Sequence, residues 1–569
     1  MTHADSIVFG AAGFIGRSLV AELLRDGHTV VAAVRAGSGD RLTSWLAEQG
    51  ADQRALLVAT ADITAPNLGL TADFHGIRDV YNTAALMKFG LDAERAQRVN
   101  LTGALDVARW ASRQPELRRL IHISGYRVTA EGGAEADYRA GAYEASKTEA
   151  DRALRELARQ LGVPLTVANP ASVLGPGQYF GLSDLVDQLW RGQLPALPGR
   201  RDSFVPIVGI DYVARFLARV ATLPETADRA YTLLDPATPD LPDLIRLIAA
   251  HLGVRAPRLR IPVPVLRALP RVLTGAEPES LGFISGDRYD TSAADAVART
   301  LGIEHRPFAD VLRDWADGVV ATRNGVIPER TGSGFRDGTW VSGDAADPEY
   351  VLLHGLPLDS DSWDGVTKAL AARTLSADLP GFGRSAPRPG SLGDWLGELM
   401  APVRTRPVLV GHSLGAAAAV DYAERHPDRV SRVVLISPFF LQKRAPWTLR
   451  NPLTARVLKR LPASKLAAQL DISNGSATAS AHAALRRPGA AARVVSALSA
   501  VSAPAYRTDM ATRLSRLRVP VLIIHGAQEP LLVSTMHPVV AVPGAGHNPH
   551  ITHPELIAGL VAEPAPVSG

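Results

Sequence analysis

The segment RPVLVGHSLGAAAAVDYAERHPDRV, residues 406–430, decides the fold of the second half of the chain. An apolar run leads into a turn, and an Ala-rich run typical of a helix follows it. Gly411 and Gly415 flank Ser413 at a spacing of two residues. A strand-to-helix turn this sharp has room only for small residues, and it projects the serine hydroxyl at the edge of the sheet. The pattern therefore predicts a nucleophilic serine on an α/β scaffold.

Further segments follow in the order that such a nucleophile requires. VLLHGLPLDSDSW places Leu356 after an early strand, so that its N–H can pair with that of Leu414 as an oxyanion hole. IIHGAQEPLLV places Glu529 after a later strand, and VAVPGAGHNPHITHPE places His547 in a Gly-rich loop near the end. Serine, acid and histidine in this order along the chain predict a catalytic triad.

From about residue 328 to about residue 566 the chain resembles the α/β-hydrolase superfamily, and the resemblance includes DLPGFGRS before the serine turn. It implies that Ser413 attacks the substrate, that His547 is the base, and that Glu529 orients and stabilises this base. The acid is Glu where Asp is commoner. A Ser nucleophile disfavours a dehalogenase or an epoxide hydrolase and favours hydrolysis of an ester, lactone or thioester.

A helical segment rich in Ala, Arg and Ser, at about residues 441–510, interrupts this half. An insertion here would sit over the carboxyl ends of the strands, where the sites of α/β proteins lie, so we expect a helical cap. Nearby histidines are interpreted as loop or packing residues and not as metal ligands, so no metal is expected. They are His412, His525, His550 and His553.

The first half opens with SIVFGAAGFIGRSLVAELLRDGHTVVAAVR. Gly10, Gly13 and Gly16 lie in the turn from a first strand to a first helix, where backbone can approach a pyrophosphate and helical N–H groups can bind it. A glycine pattern alone is weak, but here the strand and the helix are both present. The second strand ends in Arg35, where an NAD site usually has an acidic residue. An arginine suits a 2′-phosphate, so we expect NADP(H) in preference to NAD(H).

AYEASKTEAD places Tyr143 and Lys147 four residues apart on one helical face. A lysine ammonium beside a phenol lowers the pKa of the phenol. The phenol can then donate a proton to a carbonyl or accept one from an alcohol. The pair therefore predicts an acid/base site.

Together these motifs resemble the extended short-chain dehydrogenase/reductase family over about residues 1–322. The branch is that of 3β-hydroxysteroid dehydrogenase and dihydroflavonol reductase, within the NAD-dependent epimerase/dehydratase group. The resemblance extends over ADIT, NTAA, RVNLTGAL, NPASVLGPG and FVPIVGIDYVA. It implies that Tyr143 is the acid/base, that Lys147 binds the nicotinamide ribose, and that the protein is a homodimer. The cofactor-binding residues that it implies are Gly10, Gly13, Phe14, Ile15, Gly16, Arg35, Asp62, Ile63, Thr83, Ala84, Ala85, Asn100, Tyr143, Lys147 and Pro170.

The fifth strand departs from this family. The family has a Ser-Ser or Ser-Thr pair at its end, and the second hydroxyl bonds the reacting oxygen. In LIHISGYRV, Ser124 matches the first member and Gly125 replaces the second. Either Ser124 or another group substitutes as a catalytic residue, or this domain is slow or non-catalytic. Asn169 also replaces the usual Arg before Pro170.

The organisation predicted is two α/β domains. Residues 1–325 form an NADP-binding domain with a Rossmann-type, doubly wound parallel sheet, because short β-branched runs alternate with helical stretches. Residues 326–569 form an α/β-hydrolase domain with its cap. GSGFRDGTWVSG is predicted to be a hairpin with an Asp-Gly turn that opens the second domain.

Composition excludes several classes of protein. The 569 residues contain no cysteine, so disulfides, thiolate metal sites and cysteine nucleophiles are impossible, and we expect a cytoplasmic protein. The net charge of +4 is slight and the arginines recur singly, which argues against nucleic-acid binding. We expect no secretory signal and no membrane-spanning helix, because MTHADSIVFG has no basic region and no long apolar region, and no apolar run approaches the length of a membrane span. Residues 254–275 are basic and apolar, but their four prolines argue against an interfacial helix.

The two sites predict a bifunctional enzyme that acts on hydrophobic small molecules. An NADP(H)-dependent oxidoreductase for a ketone or secondary alcohol is fused to a serine hydrolase for an ester, lactone or thioester. Two alternatives stay open for the first half. One is a non-catalytic NADP(H)-binding module that regulates or positions the hydrolase. The other is a sugar-nucleotide epimerase, against which Arg35 and a substrate region rich in Leu, Pro and Val argue.

Overall fold

The computed structural model describes most of the chain, namely residues 2–87, 90–128, 136–139, 141–268, 280–327, 332–444, 446, 448, 451–473 and 475–563. The chain forms two compact units. The first comprises Met1–Ser183, Pro195–Leu247 and Pro257–Trp315, and the second Asp184–Leu194, Ile248–Ala256 and Ala316–Gly569. The boundary predicted near residue 325 stays a prediction, since short segments that precede it group with the second unit.

The first unit is built on a seven-stranded parallel sheet. Its strands lie in the order Arg229–Leu233, Leu165–Pro170, Arg119–Ile123, Asp79–Asn82, Ser6–Phe9, Val30–Val34 and Leu56–Thr60. Alternate side chains enter different cores, with Val8 on one face and Ile7 and Phe9 on the other. Burial on both faces is typical of a doubly wound sheet, which confirms the predicted fold. The order reverses between the first and fourth strands along the chain, and a cofactor crevice lies at such a point.

Helices and short strand pairs complete this part of the chain. The helices before residue 322 are Phe14–Arg25, Gly39–Glu48, Pro66–Gly69, Ala93–Ala96, Gln97–Thr102, Gly103–Ala111, Ala142–Leu161, Leu182–Arg191, Ile210–Val220, Pro224–Thr226, Leu241–His251, Val263–Ala268, Ser280–Phe283, Ser292–Thr300 and Phe308–Ala321. Parallel pairs join Thr2–His3 to Phe74–His75, Ala196–Pro198 to Leu259–Ile261, and Ile207–Gly209 to Ser172–Leu174. Residues 269–275 of the basic apolar segment lie outside the described residues.

The second unit has an eight-stranded sheet in the order Gly334–Arg336, Thr339–Gly343, Thr374–Ala377, Tyr350–Leu353, Val408–His412, Arg432–Ile436, Val521–Gly526 and Val539–Val542. The first two strands form the predicted antiparallel hairpin. Asp337 and Gly338 at its turn have φ of 48° and 75°, which suits a two-residue turn. The second strand pairs antiparallel with the third, and the remaining pairs are parallel.

The predicted insertion at 441–510 is helical. The helices of this part of the chain are Ser360–Trp363, Asp364–Leu370, Leu392–Met400, Leu414–Arg425, Pro427–Arg429, Phe439–Leu441, Thr454–Arg460, Ala463–Leu470, Ser476–Leu485, Ala490–Val501, Pro504–Ser515, Pro549–Thr552 and Pro554–Ala562. Leu458, Leu466 and Leu485 of the insertion form a separate apolar core with Leu358, which lies in the loop after the strand Tyr350–Leu353. The insertion is therefore packed onto the loops at the carboxyl ends of the strands. No helix among the described residues has the length and apolar character needed to cross a bilayer.

Candidate active sites

Ser413 lies at the sharp turn between the strand Val408–His412 and the helix Leu414–Arg425. Its backbone has φ 48° and ψ −106°, a conformation that L side chains rarely adopt. A strained backbone conformation of this kind persists only where the surrounding structure stabilises it, and such conformations cluster at functional sites. A Cβ at Gly411 would lie 2.5 Å from the carbonyl oxygen of Gly415, and a Cβ at Gly415 would lie 2.3 Å from a carbonyl oxygen of the adjacent strand. Glycine is therefore required on both sides of the serine.

A continuous chain of hydrogen bonds links Ser413, His547 and Glu529. Ser413 Oγ is 3.1 Å from His547 Nε2, and His547 Nδ1 is 3.0 Å from Glu529 Oε2. A carboxylate only accepts, so His547 donates from Nδ1, and its Nε2 accepts the Ser413 hydroxyl proton. The hydrogen bond from His547 also lowers the pKa of Glu529, which keeps this carboxylate charged at neutral pH. The arrangement has the geometry of a nucleophile, a base and an orienting acid.

The N–H groups predicted to hold an oxyanion belong to Leu356 and Leu414. Leu414 opens the helix after Ser413, where N–H groups lack partners within the helix. Leu356 follows Gly355, at which a Cβ would lie 2.7 Å from Ser413 Cβ, so this backbone lies against the nucleophile. Neither N–H has an acceptor within the part of the chain that the structure describes. Both donors can therefore face a substrate oxygen.

The three glycines of the first site form the turn between the strand Ser6–Phe9 and the helix Phe14–Arg25. Gly10 has φ 80°, and a Cβ there would lie 2.7 Å from the backbone nitrogen of the segment after the fourth strand. A Cβ at Gly16 would lie 2.3 Å from the Gly10 carbonyl oxygen. Gly13 is the N-cap of the helix. The turn therefore brings bare backbone and a helix N-terminus to one place, which suits a pyrophosphate.

The segment after the fourth strand packs on this turn. Thr83 Oγ1 donates to the Phe9 carbonyl at 2.8 Å, and the Ala84 N–H donates to Asn82 Oδ1 at 3.2 Å. Ala85 follows and is exposed. The predicted cofactor residues of the first and fourth strands thus meet at the crevice of the doubly wound sheet.

Arg35 and Asp62 follow adjacent strands of the sheet. Arg35 is exposed at the end of the second strand. Asp62 accepts from the N–H and the hydroxyl of Thr64 at 2.9 Å and 2.7 Å, and these bonds lower the pKa of Asp62, with a further contribution from Arg35. Ile63 packs against Gly103, where a Cβ would lie 2.7 Å from Ile63 Cδ1. A positive and a negative side chain are therefore available where an adenosine ribose would bind.

Tyr143 and Lys147 lie on the helix Ala142–Leu161. Lys147 is buried, and its Nζ donates to the Ile123 carbonyl at 2.7 Å. Burial lowers the pKa of Lys147 to about 8. Ser146 donates to the Tyr143 carbonyl at 2.8 Å. The ammonium is thus fixed at the end of a central strand, one helical turn from the phenol.

Asn100 ties this helix to the segment after the fourth strand. Its Nδ2 donates to Ser146 Oγ at 3.0 Å and to the Leu86 carbonyl at 3.2 Å, and its Oδ1 accepts from the Leu86 N–H at 2.8 Å. These bonds place Asn100 as a link between the cofactor crevice and the Tyr-Lys helix. The other predicted cofactor residues lie at the same edge of the sheet and are Phe14, Ile15 and Pro170.

Comparison with known proteins matches a family model to each half of the chain. The alpha/beta hydrolase family model matches residues 350–560, and the NAD-binding model described as male sterility protein matches residues 8–217. A pimeloyl-[acyl-carrier protein] methyl ester esterase of Aromatoleum aromaticum is 31% identical over 250 residues, which are 38% of this chain and 97% of that protein. The second half of the chain belongs to the alpha/beta hydrolase family.

An esterase of the same name from Edwardsiella ictaluri is 30% identical over 252 residues, 39% of this chain and 95% of that protein. A solved structure, the terminal R domain from the myxalamid PKS-NRPS biosynthetic pathway, is 20% identical with a TM-score of 0.46. It covers 58% of this chain and 94% of that chain. By the family models, the chain joins an NAD-binding domain to an alpha/beta hydrolase. Both resemblances predicted from the sequence are confirmed.

The departure at the fifth strand of the NAD-binding domain has a structural counterpart. Ser124 is buried, and its hydroxyl has no hydrogen-bond partner among the described residues. Among the described residues, a Cβ at Gly125 would meet nothing within 4 Å, so no described side chain takes the place of the family's second hydroxyl. Sequence reasoning did not single out Tyr126. Its hydroxyl is buried without a partner in the described part, and its ring lies 5.1 Å from that of Tyr289. The only indication of Tyr126 in the sequence was its position two residues after Ser124 in LIHISGYRV.

Buried charges in the loops of the alpha/beta hydrolase were also not predicted. Asp378 accepts from the Ser360 N–H at 2.7 Å and the Arg384 N–H at 2.6 Å, and Arg384 Nη2 donates to Asp361 at 2.8 Å. Burial, with Asp361 and Asp378 nearby, raises the pKa of Asp359 to about 8. The network fixes the loop that carries the first oxyanion donor. The aspartates of LDSDSW were the available indication, but buried and exposed carboxylates look alike in a sequence.

Two arginines of the cap bind the same loops. Arg487 Nη1 donates to the Gly383 carbonyl at 2.7 Å, and Arg493 Nε donates to the Gly381 carbonyl at 2.8 Å. Phe382, between these glycines, packs against the apolar core of the cap. Leu356, which carries the first oxyanion donor, also packs against this core, so apolar cap residues lie next to the oxyanion site.

Proposed function

We propose that the chain is a bifunctional enzyme. Its first half is an NADP(H)-dependent oxidoreductase acting on a ketone or secondary alcohol, and its second half is a serine hydrolase acting on an ester, lactone or thioester. The observation that carries the second activity is the hydrogen-bonded chain Ser413–His547–Glu529 at a strained turn. For the first activity it is the buried Lys147 one helical turn from Tyr143, in the same half as a glycine turn that suits a pyrophosphate.

In the hydrolase, Ser413 Oγ attacks the acyl carbon while His547 Nε2 takes its proton. The N–H groups of Leu356 and Leu414 hold the oxyanion that forms. Glu529 stabilises the imidazolium, which then gives its proton to the leaving alcohol or thiol. Water repeats these steps in the reverse sense and releases the acid from Ser413.

In the oxidoreductase, bound NADP(H) supplies or accepts the hydride. The glycine turn suits its pyrophosphate, and Arg35 suits its 2′-phosphate because a guanidinium binds phosphate bidentately. Tyr143 gives a proton to the substrate oxygen in reduction and takes it back in oxidation. Lys147 would hold the nicotinamide ribose and supply positive charge there. The unpartnered hydroxyl of Ser124 donates to the same substrate oxygen, in place of the side chain that Gly125 lacks.

For the hydrolase we propose an acyl ester carried on an acidic carrier protein. The relatives found are pimeloyl-[acyl-carrier protein] methyl ester esterases. Residues 441–510 contain eleven Lys or Arg against two Asp, although the whole chain is only +4, so the cap is strongly basic and the rest is net negative. Arg456, Lys459 and Arg460 are exposed beside Val457, itself 59% exposed. A basic surface with apolar contacts favours an acidic macromolecule.

Gly125 favours a second candidate for the first half, a non-catalytic NADP(H)-binding module that regulates or positions the hydrolase. Such a module would bind NADPH and leave every ketone and alcohol of a panel unchanged. An oxidoreductase would consume NADPH or form it with at least one of them, and Tyr143→Phe would stop that turnover.

The test of the hydrolase is active-site labelling of the full-length protein with a fluorophosphonate. Peptide mass spectrometry should find the adduct on Ser413, and the Ser413→Ala variant should stay unlabelled. A label elsewhere, or none, would refute the assignment. For the carrier, KM for a carrier-bound methyl ester should lie below that for the free methyl ester and should rise with salt. Equal KM values would limit the substrate to the free ester.

A further inference from the structure

His412, the residue before the nucleophile, contacts the loop that carries the base. Its ring is fully buried, and its Nε2 lies 3.0 Å from the backbone carbonyl oxygen of His547. A carbonyl only accepts, so the hydrogen of His412 is on Nε2. Nδ1 then carries a lone pair in the neutral ring and has no partner among the described residues. His412 is thus a donor with a single, defined acceptor.

The ring of His550 packs against the ring of His412. It lies three residues after His547 in the helix Pro549–Thr552, and its ring is fully buried. Its centroid is 4.2 Å from that of His412 and 4.6 Å from that of Trp363. The segment from His547 to His550 therefore contacts His412 at two points, by a hydrogen bond at His547 and by ring packing at His550.

The rings of His412 and His550 are both neutral at neutral pH. Burial, together with His547 and His354 nearby, lowers the pKa of His550 to about 3. Burial also lowers the pKa of His412 well below its ordinary value, and the surrounding groups that contribute are His550, His547 and His354. At neutral pH, His412 therefore stays neutral and donates from Nε2.

We propose that His412 is a positioning residue of the hydrolase site and sets the separation between Ser413 and His547. The proposal rests on the proposed hydrolase activity. The backbone joins His412 directly to the nucleophile, Ser413. The ring of His412 donates a hydrogen bond to the backbone carbonyl of the base, His547. These two connections fix the 3.1 Å contact between Ser413 Oγ and His547 Nε2. Glu529 is held separately, since Gln442 Nε2 donates to its carbonyl at 3.0 Å.

The role follows from the bond and not from the bulk of the ring. A leucine at 412 would fill much of the space and leave the His547 carbonyl without this donor. A glutamine would keep an N–H donor of similar reach. A loop that shifts by about 1 Å costs about 100-fold in rate when the reacting atoms depend on it. The loss should fall on kcat, because the displaced pair, Ser413 and His547, performs the chemical step.

The experiment compares His412→Leu and His412→Gln in the full-length protein, with hydrolysis of p-nitrophenyl butyrate and the rate of fluorophosphonate labelling as readouts. We expect His412→Leu to lower kcat about 100-fold with KM within about threefold, and His412→Gln to keep kcat within about tenfold. His537→Leu is the matched control, because His537 Nε2 also lies at 3.1 Å from a backbone carbonyl, that of Leu514, outside the triad. It should keep wild-type kcat.

The proposal is overturned if His412→Leu keeps kcat, or if the leucine and glutamine variants lose it equally. If His412→Leu does not fold, His412→Asn replaces it. Its amide is one methylene too short to reach the carbonyl, so it should lose kcat where His412→Gln keeps it. Equal hydrolysis by the wild type and Ser413→Ala would instead refute the proposed hydrolase itself.

Discussion

Replacing Glu529 by Gln tests the member of the triad whose residue type departs from the common pattern, since the acid is Glu where Asp is commoner. The carboxylate accepts from His547 Nδ1 at 3.0 Å. At this distance two unit charges interact by about 1.4 kcal/mol in bulk water and by about 5.5 kcal/mol at an effective dielectric constant of about 20. The Glu529 side chain is 51% exposed, so solvent screens it and a value of about 3 kcal/mol is reasonable. That energy corresponds to about 100-fold in rate.

A second effect adds to this loss. An amide N–H at 529 could donate to His547 Nδ1, which would put the imidazole hydrogen on Nε2 and leave no acceptor for the Ser413 proton. The wrong tautomer costs up to about 10⁴-fold in serine proteases. We therefore expect Glu529→Gln to lower kcat for p-nitrophenyl butyrate by about 10² to about 10⁴, with little change in KM.

Glu398→Gln is the control for the loss of a carboxylate. Glu398 is exposed in the helix Leu392–Met400 and pairs with Arg388, and this helix contributes no residue to the triad. Its kcat should equal that of the wild type. A Glu529→Gln variant that hydrolyses the ester within about threefold of the wild-type rate would refute the role of this carboxylate, since even full screening predicts about tenfold.

Three further predictions concern the first half. Arg35→Asp should weaken NADPH binding and narrow or reverse the preference over NADH, and equal affinities in the unmodified protein, measured by fluorescence titration, would contradict the assignment. Gly16→Ala should abolish NADPH binding, because its Cβ would lie 2.3 Å from the Gly10 carbonyl oxygen. Gly27→Ala, which is strained by a φ of 84° but has no described atom within 4 Å of its Cβ, should lower stability and keep NADPH binding. Burial lowers the pKa of Lys147 from 10.5 to about 8. Between these pH values the unfolded chain binds more protons than the folded one, so the free energy of unfolding rises with pH, by up to about 3 kcal/mol. Lys147→Met should remove this rise in urea titrations at about pH 8 and about pH 10, and an unchanged rise would assign it to another group.

Local constraints explain what the sequence predicted well. The turn at Ser413 needs Gly411 and Gly415 because backbone atoms approach on both sides, and both glycines lie within two residues of the serine in the sequence. Backbone atoms also approach Gly10 and Gly16. The alternation of apolar runs and helices likewise predicted the parallel sheet of the first half, and the Asp-Gly pair predicted the hairpin at Asp337.

Features that depend on distant contacts could not be predicted. Sequence reasoning interpreted His412 and His550 as loop or packing residues, and only the fold shows that His412 bonds the carbonyl of His547. Burial decides whether Asp359 is an ordinary surface carboxylate or one with a raised pKa, and two of its charged neighbours, Asp378 and Arg384, come from another loop. The grouping of 184–194 with the second unit also depends on contacts that no local pattern records.

The central claim is that one chain carries two chemically separate sites. Its most direct test measures ester hydrolysis and NADPH turnover on the same full-length Ser413→Ala and Tyr143→Phe variants, with the ketone or alcohol that the wild type turns over. Ser413→Ala should abolish hydrolysis and keep NADPH turnover, and Tyr143→Phe should lower NADPH turnover by about 100-fold or more and keep hydrolysis. Loss of both activities in either variant would mean that the two halves form one enzyme, and retention of both would mean that neither residue has the role assigned to it.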